Sequence, residues 1–242
     1  MISALQNCIW DWEVLNTRIV HCRQCARLTE WREKMALEKR RAYRDWEYWG
    51  KPVPGFGDKQ ARVLVIGLAP GAHGSNRTGR MFTGDSSGDF LYAALHRAGF
   101  ANQPSTSDLN DGLKLRDIFI SAVCRCAPPD NKPTASEIST CTPFLHSEIC
   151  LLKNLEGLVV LGRIAFNWVL GYYRAQGFAL PPVQFSHGVC SSLGDGLPWL
   201  ITSYYPSRQN TQTGRLTVDM FDAVWEKTHR LLDDRHDLCT DQ

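Results

Sequence analysis

Four short apolar runs, Val63–Gly67, Ile118–Val123, Leu158–Gly162 and Leu200–Tyr204, stand out in a chain whose other hydrophobic positions recur at helical spacing. Each is rich in β-branched or aromatic residues and short enough to be a buried strand. Helical patterns fill the intervals at about 87–99, 134–151 and 164–175, and a last one covers about 217–234. Thr134 followed by Glu137 has the form of a capping box. Upstream, 4–20 and 27–46 read as helices, and the turn 51–58, with Pro52, Pro54, Gly55 and Gly57, breaks regular structure before the core begins. Strands alternating with helices predict a parallel sheet covered on both faces. Ligands then bind beyond the carboxyl ends of the strands, after Gly67, Val123, Gly162 and Tyr204.

Composition narrows this only a little. A chain of 242 residues, 43% hydrophobic and 21% charged, buries one substantial core. We therefore expect a single domain over 1–242, with N-terminal helices in 1–58 and an α/β core in 59–242. A net charge of +2 neither demands nor excludes a nucleic-acid partner, so any such contact needs a local patch. The pattern over 27–46 supplies one candidate, with Arg27, Arg32, Lys34, Lys39, Arg40, Arg41 and Arg44. A solvated face paired with Glu30, Glu33 and Glu38 is an equal alternative. The first fifteen residues lack the features of a signal peptide, and no run nears the roughly 18 apolar residues of a membrane span. A cytoplasmic, nucleoid-associated monomer is the expectation.

In that reducing setting nine cysteines favour a metal role over a disulfide framework. Cys22 and Cys25 form a Cys-x-x-Cys pair at the junction of the first two helices, and Cys126 and Cys141 bracket a Pro-Pro turn. Four thiolates suit tetrahedral zinc or an iron–sulfur cubane, and spacing does not separate the two. Strand alternation turns Cys124 to the same side as Cys126, making it a competitor for the third ligand. Cys8, Cys124, Cys150, Cys190 and Cys239 otherwise read as small buried hydrophobes.

The first strand runs into Gly67-Leu68-Ala69-Pro70-Gly71-Ala72-His73-Gly74, small residues whose backbone N–H groups can hold an anion or a polar ring. The dinucleotide and Walker A glycine patterns are absent. A polar loop from Asn76 to Asp89 follows, with Phe82 embedded in it, and the fourth strand ends in Tyr204-Tyr205-Pro206-Ser207-Arg208-Gln209-Asn210. The run Gly67–Asp85 resembles the first motif of the family 5 (B-type) uracil-DNA glycosylases. Tyr205–Asn210 is similar to their second motif, which normally reads His-Pro-Ser. Trp49–Gly57 and Arg125–Pro133 also match, so the resemblance spans about Cys22 to Arg215.

The resemblance implies a three-layer α/β/α domain around a four-stranded, mainly parallel sheet. It implies a [4Fe–4S] cluster on Cys22, Cys25, Cys126 and Cys141, with zinc the less favoured alternative. It further implies an enzyme that removes uracil, and also hypoxanthine or xanthine, from DNA to leave an abasic site. Such an enzyme flips the nucleotide into a pocket at a cost of about a few kcal/mol, offset by base stacking of roughly 1–3 kcal/mol. Phe82 is the expected stacking ring, and the turn Ala69, Pro70, Gly71, Ala72 and His73 is expected to bind the base. Asp85 is expected to activate water or stabilise the cationic sugar, and Asn131 to orient water or bind the base. Ala122 stands where A-type relatives carry a base-reading Asn. Arg77, Arg80, Ser207, Arg208, Gln209, Asn210 and Arg215 are the expected DNA contacts. No lysine suited to a Schiff base lies in these motifs apart from the turn residue Lys132, so the expected enzyme is monofunctional. Tyr205 departs from the pattern: the usual His donates to a base oxygen as charge builds, and losing one such donor costs about 100- to 1000-fold. Tyrosine also carries a donor, of longer reach and different shape, so Tyr205 is expected to act catalytically in a functional but altered site, and the competing expectation is an impaired protein that binds lesions or abasic sites.

Overall fold

The structure, a computed structural model, describes residues 10–233. Cys8, Cys239, residues 4–9 of the first expected helix and residue 234 lie outside the described residues. The four apolar runs form β2 (Val63–Gly67), β3 (Ile118–Ala122), β4 (Gly157–Leu161) and β6 (Trp199–Ser203). All are parallel, with Val65 opposite both Ile120 and Val159, and Val159 opposite Ile201. The expected count of four strands falls short. β1 (Phe56–Gly57) and β5 (Cys190–Ser191) add antiparallel edges, giving a six-stranded sheet in the order β1-β3-β2-β4-β6-β5. Two-residue strands have no hydrophobic run to announce them.

Strand alternation sends side chains to two cores. Val63, Val65, Ile120, Val159 and Ile201 face α4 (Ser86–Arg97) and α8 (Val218–Asp233). Leu64, Ile66, Phe119, Val160 and Leu200 face α5 (Ala135–Leu151) and α6 (Arg163–Ala175). The architecture is thus α/β/α, and continuous apolar strands follow from burial on both faces. Thr134 and Glu137 make the expected capping box at the start of α5.

At the N-terminal side, α1 (Trp12–Val20) packs Leu15 and Ile19 against Phe144 of α5. α2 (Ala26–Glu38) ends well short of residue 46, because Lys39 takes φ 48° and the chain turns away. Two short helices interrupt the expected loops, α3 (Ser75–Thr78) and α7 (Arg208–Gln212). Cys150 and Cys190 are buried, as expected, but each is disulfide-bonded rather than a plain hydrophobe. No helix among the described residues is long and apolar enough to cross a membrane.

Candidate active site

The loops leaving β2, β3 and β6 meet over the carboxyl edge of the sheet. Asp85 caps α4, its Oδ1 accepting from the backbone N–H of Ser87 (3.1 Å) and Gly88 (3.2 Å). The other oxygen lies over the backbone of the turn, where a Cβ on Gly71 would stand 2.8 Å from it and one on Gly74 would collide with it. Glycine at both positions is what lets the carboxylate approach. Burial pushes the Asp85 pKa up, against the pull of the Ser87 and Gly88 N–H groups. Asp85 thus has a structural role as the N-cap of α4.

Phe82 has φ 53°, an unusual value for a bulky residue. The preceding carbonyl, of Met81, accepts from the buried Tyr92 hydroxyl at 2.7 Å. Its ring packs over Gly67, which has no Cβ to block it, and lies 5.9 Å from the ring of Tyr205. Tyr205 is fixed through its backbone: its carbonyl accepts from Ser207 N and from Asn210 Nδ2, both at 2.8 Å. Its hydroxyl has no hydrogen-bond partner among the described residues. Burial, reinforced by the charge of Asp85, raises its pKa, so the phenol stays a neutral donor.

Asp85, Asn131, Tyr205, Ala69, Gly71 and Ser207 are among the walls of one cavity of about 440 Å³, closed also by Leu68, Ser86, Ser87, Arg208 and Gln209. Asn131 reaches it on a 3-10 turn with φ 55°. A neighbouring cavity of about 460 Å³ shares Gly71, Asp85, Ser86 and Arg208 and adds His73, Arg40 and Tyr43. His73 shares a hydrogen bond with the Tyr48 hydroxyl at 3.1 Å, and burial, with Arg40 and Arg77 nearby, lowers its pKa. Pro70 is buried in the turn and Ala72 is half-buried. Arg40 and Tyr43 were legible only as part of the basic stretch 27–46.

Two expected DNA contacts point inward. Arg77 is buried, donates to His73 O (2.8 Å) and Gly84 O (3.0 Å), and stacks on Tyr43 and Trp46. Arg80, 2% exposed, forms a two-pronged pair with Asp111 and donates to Thr83 Oγ1 at 2.9 Å. Both guanidinium groups brace the loop, so neither is available to a phosphate. Asn210 holds Tyr205, and Ser207 caps α7 by accepting from Asn210 N. Arg208, Gln209 and Arg215 are exposed, Arg215 lying over the Tyr204 ring.

Cys22, Cys25, Cys126 and Cys141 are free thiols within electrostatic reach of one another. Cys124 is a fifth, also within electrostatic reach of Cys141 and Cys126. Among the described residues no three His, Cys, Asp or Glu side chains are arranged to hold a single metal ion. The donor set nonetheless suits an anionic thiolate centre, because Arg32, 2% exposed, donates to Cys126 Sγ at 2.9 Å. A buried guanidinium needs an anionic partner.

Residues 54–229 match the uracil DNA glycosylase superfamily. A type-5 uracil-DNA glycosylase of Mycobacterium bovis is 50% identical over 218 residues, covering 90% of this chain and 80% of that protein. One from Thermus thermophilus is 47% identical over 221 residues, covering 91% and 98%. A type-4 enzyme from Pyrobaculum aerophilum is 33% identical over 120 residues, about half of each chain. With its three-layer fold, its loops gathered at one edge and relatives of this closeness along most of its length, the chain belongs to the uracil-DNA glycosylase superfamily.

Proposed function

We propose that the chain is a monofunctional DNA glycosylase that hydrolyses the N-glycosidic bond of uracil, and of deaminated purines such as hypoxanthine and xanthine, in DNA. The observation that carries this reading is that Asp85 and Tyr205 line one cavity, close enough for the charge of Asp85 to raise the Tyr205 pKa. In the reaction the bond from C1′ of the sugar to the base nitrogen breaks and a bond from water oxygen to C1′ forms. Positive charge gathers on the sugar and negative charge on the base. Asp85 accepts the water proton or faces the cationic sugar, and Asn131 orients the water. Tyr205 donates to a base oxygen as charge builds there, assisted by backbone N–H groups of the Gly71–Ala72 turn. Phe82 supplies the stacking face. Arg208, with Arg40 across the second cavity, holds the phosphates beside the flipped nucleotide, while Gln209 and Arg215 extend the track.

Cys22, Cys25, Cys126 and Cys141 are the residues that would hold a [4Fe–4S] cluster, whose contribution is to cross-link the N-terminal helices to the core. The described residues act as one domain, the N-terminal helices being tied to the core by the Arg27–Glu137 pair as well.

The test is base release from single- and double-stranded oligonucleotides carrying uracil, hypoxanthine or xanthine. Release by the parent that falls about 100-fold or more in Asp85→Ala, and clearly in Phe82→Ala, is expected. Tyr205→His is expected to gain activity on uracil. No release of any base, with lesion binding intact, would overturn the proposal in favour of a binding protein.

A further inference from the structure

We infer that Arg32 is a positioning residue that ties the four-cysteine centre to the base-binding turn through Asn76, so that the state of that centre is felt in the cavity. The inference rests on the reading of the cysteines as a metal centre and of the cavity as the base site. Arg32 lies in α2 and grips both halves of the cysteine set, donating to Cys126 Sγ (2.9 Å) and to the Cys22 carbonyl (3.1 Å). The nearest carboxylate oxygen is that of Glu33 at 3.7 Å, and Arg23 already engages that carboxylate with both prongs. The Arg32 Nε is buried without a partner. With the Glu33 carboxylate shared with Arg23, Cys126 Sγ is the closest side-chain partner of a guanidinium that is only 2% exposed.

The backbone of the same residue faces the other way. Its carbonyl accepts from Asn76 Nδ2 at 3.1 Å, and that nitrogen also reaches Ala72 O at 3.4 Å. The backbone N–H of Asn76 donates to Gly71 O at 3.0 Å. Asn76 is fully buried, and both neighbours of its amide nitrogen are carbonyls, so the amide has one sensible orientation. Gly71 lines both cavities and underlies the Asp85 carboxylate. From Cys126 to the wall beside Asp85 there are only two intervening residues, each held at both ends. α3 is clamped from the same side, where Gly50 N donates to Asn76 O (3.0 Å) and Trp49 N to Arg77 O (2.9 Å). A wall displaced by about 1 Å can cost on the order of 100-fold in rate. Loss of a partner that orients a metal ligand typically costs about 10- to 100-fold in affinity or activity.

The experiment compares Arg32→Met, Arg32→Lys and Asn76→Ala with the parent, together with the Arg32→Met/Asn76→Ala double variant. Three quantities are read: the visible absorption and iron content, the reduction potential, and the single-turnover rate of uracil release. Arg32→Met should make the potential more negative, since a donor to a ligand sulfur favours the reduced centre, and slow release about 10- to 100-fold. Arg32→Lys, which keeps the charge but not the fork, should recover part of the potential. Asn76→Ala should slow release with spectrum and potential unchanged, and the double variant should be no slower than the worse single one. Should Arg32→Met fail to fold, Arg32→Lys and Asn76→Ala carry the same comparison. Parental potential and rate in both Arg32 variants, or a parental rate in Asn76→Ala, would overturn the inference. A parent with no iron–sulfur absorption fails the reading of the centre instead, and a parent that releases no base fails the proposed activity.

Discussion

Asp85 is asked to do two opposed things, and its protonation can be followed in both. Burial raises its pKa above the ordinary Asp value, so the fold favours the protonated form while the proposed chemistry needs the carboxylate. The acid limb of kcat/KM should therefore lie above the usual Asp range and vanish in Asp85→Asn, whose residual rate is expected about 100-fold lower or less. The sign for stability is the reverse. A carboxyl whose pKa is raised by folding contributes most below its unfolded value, and that contribution is lost as the pH rises through the folded one. Asp85→Asn should thus melt higher than the parent at pH 7, with the advantage shrinking in acid, as thermal unfolding across pH would record. Most of the candidate cavity was legible because its residues sit in contiguous motifs: Asp85, Asn131, Tyr205, Gly71 and Arg208 all line it. Arg77 and Arg80 were not. Their partners Tyr43, Trp46 and Asp111 lie far away in the chain, and nothing within the loop distinguishes a braced arginine from a solvated one.

Among the elements, the loop between β2 and α4 is braced by the buried guanidinium groups of Arg77 and Arg80. Asp111 shows how: burial alone would raise its pKa, but the Arg80 fork and the N–H groups of Ser107 and Leu113 hold it well below the carboxylate range. Arg80→Met leaves that carboxylate nearly buried and unpaired, an expected loss of about 3–5 kcal/mol at neutral pH. A depressed pKa stabilises only above the unfolded value, so the deficit should shrink as the pH falls through the ordinary carboxylate range. Urea titrations of the two proteins at pH 7 and pH 4 would show it. The long elements were legible in advance because β2, β3, β4 and β6 are unbroken apolar runs and α5 carries its own capping box. α2 was overextended because its charge pattern continues past Lys39, whereas the backbone does not. β1, β5, α3 and α7 are too short to imprint a period on the sequence.

At the scale of the whole molecule, a net charge of +2 gives little general attraction for DNA, so affinity must come from the few exposed cations at the carboxyl edge. Binding of a uracil-containing duplex should weaken with salt, log K falling by about 0.9 per tenfold rise in salt for each phosphate neutralised. Arg208→Ala should reduce that slope by about one, whereas Arg77→Met should leave it unchanged, as fluorescence anisotropy over a salt series would record. The edges of the sheet bear on a different risk. β1 and β5 are two residues each and run antiparallel to their neighbours, and Pro54 stands just ahead of the first. Neither rim offers a row of free backbone groups long enough for another chain to zip onto. Among the described residues the sheet therefore offers little template for edge-to-edge pairing between copies, even where the protein is concentrated.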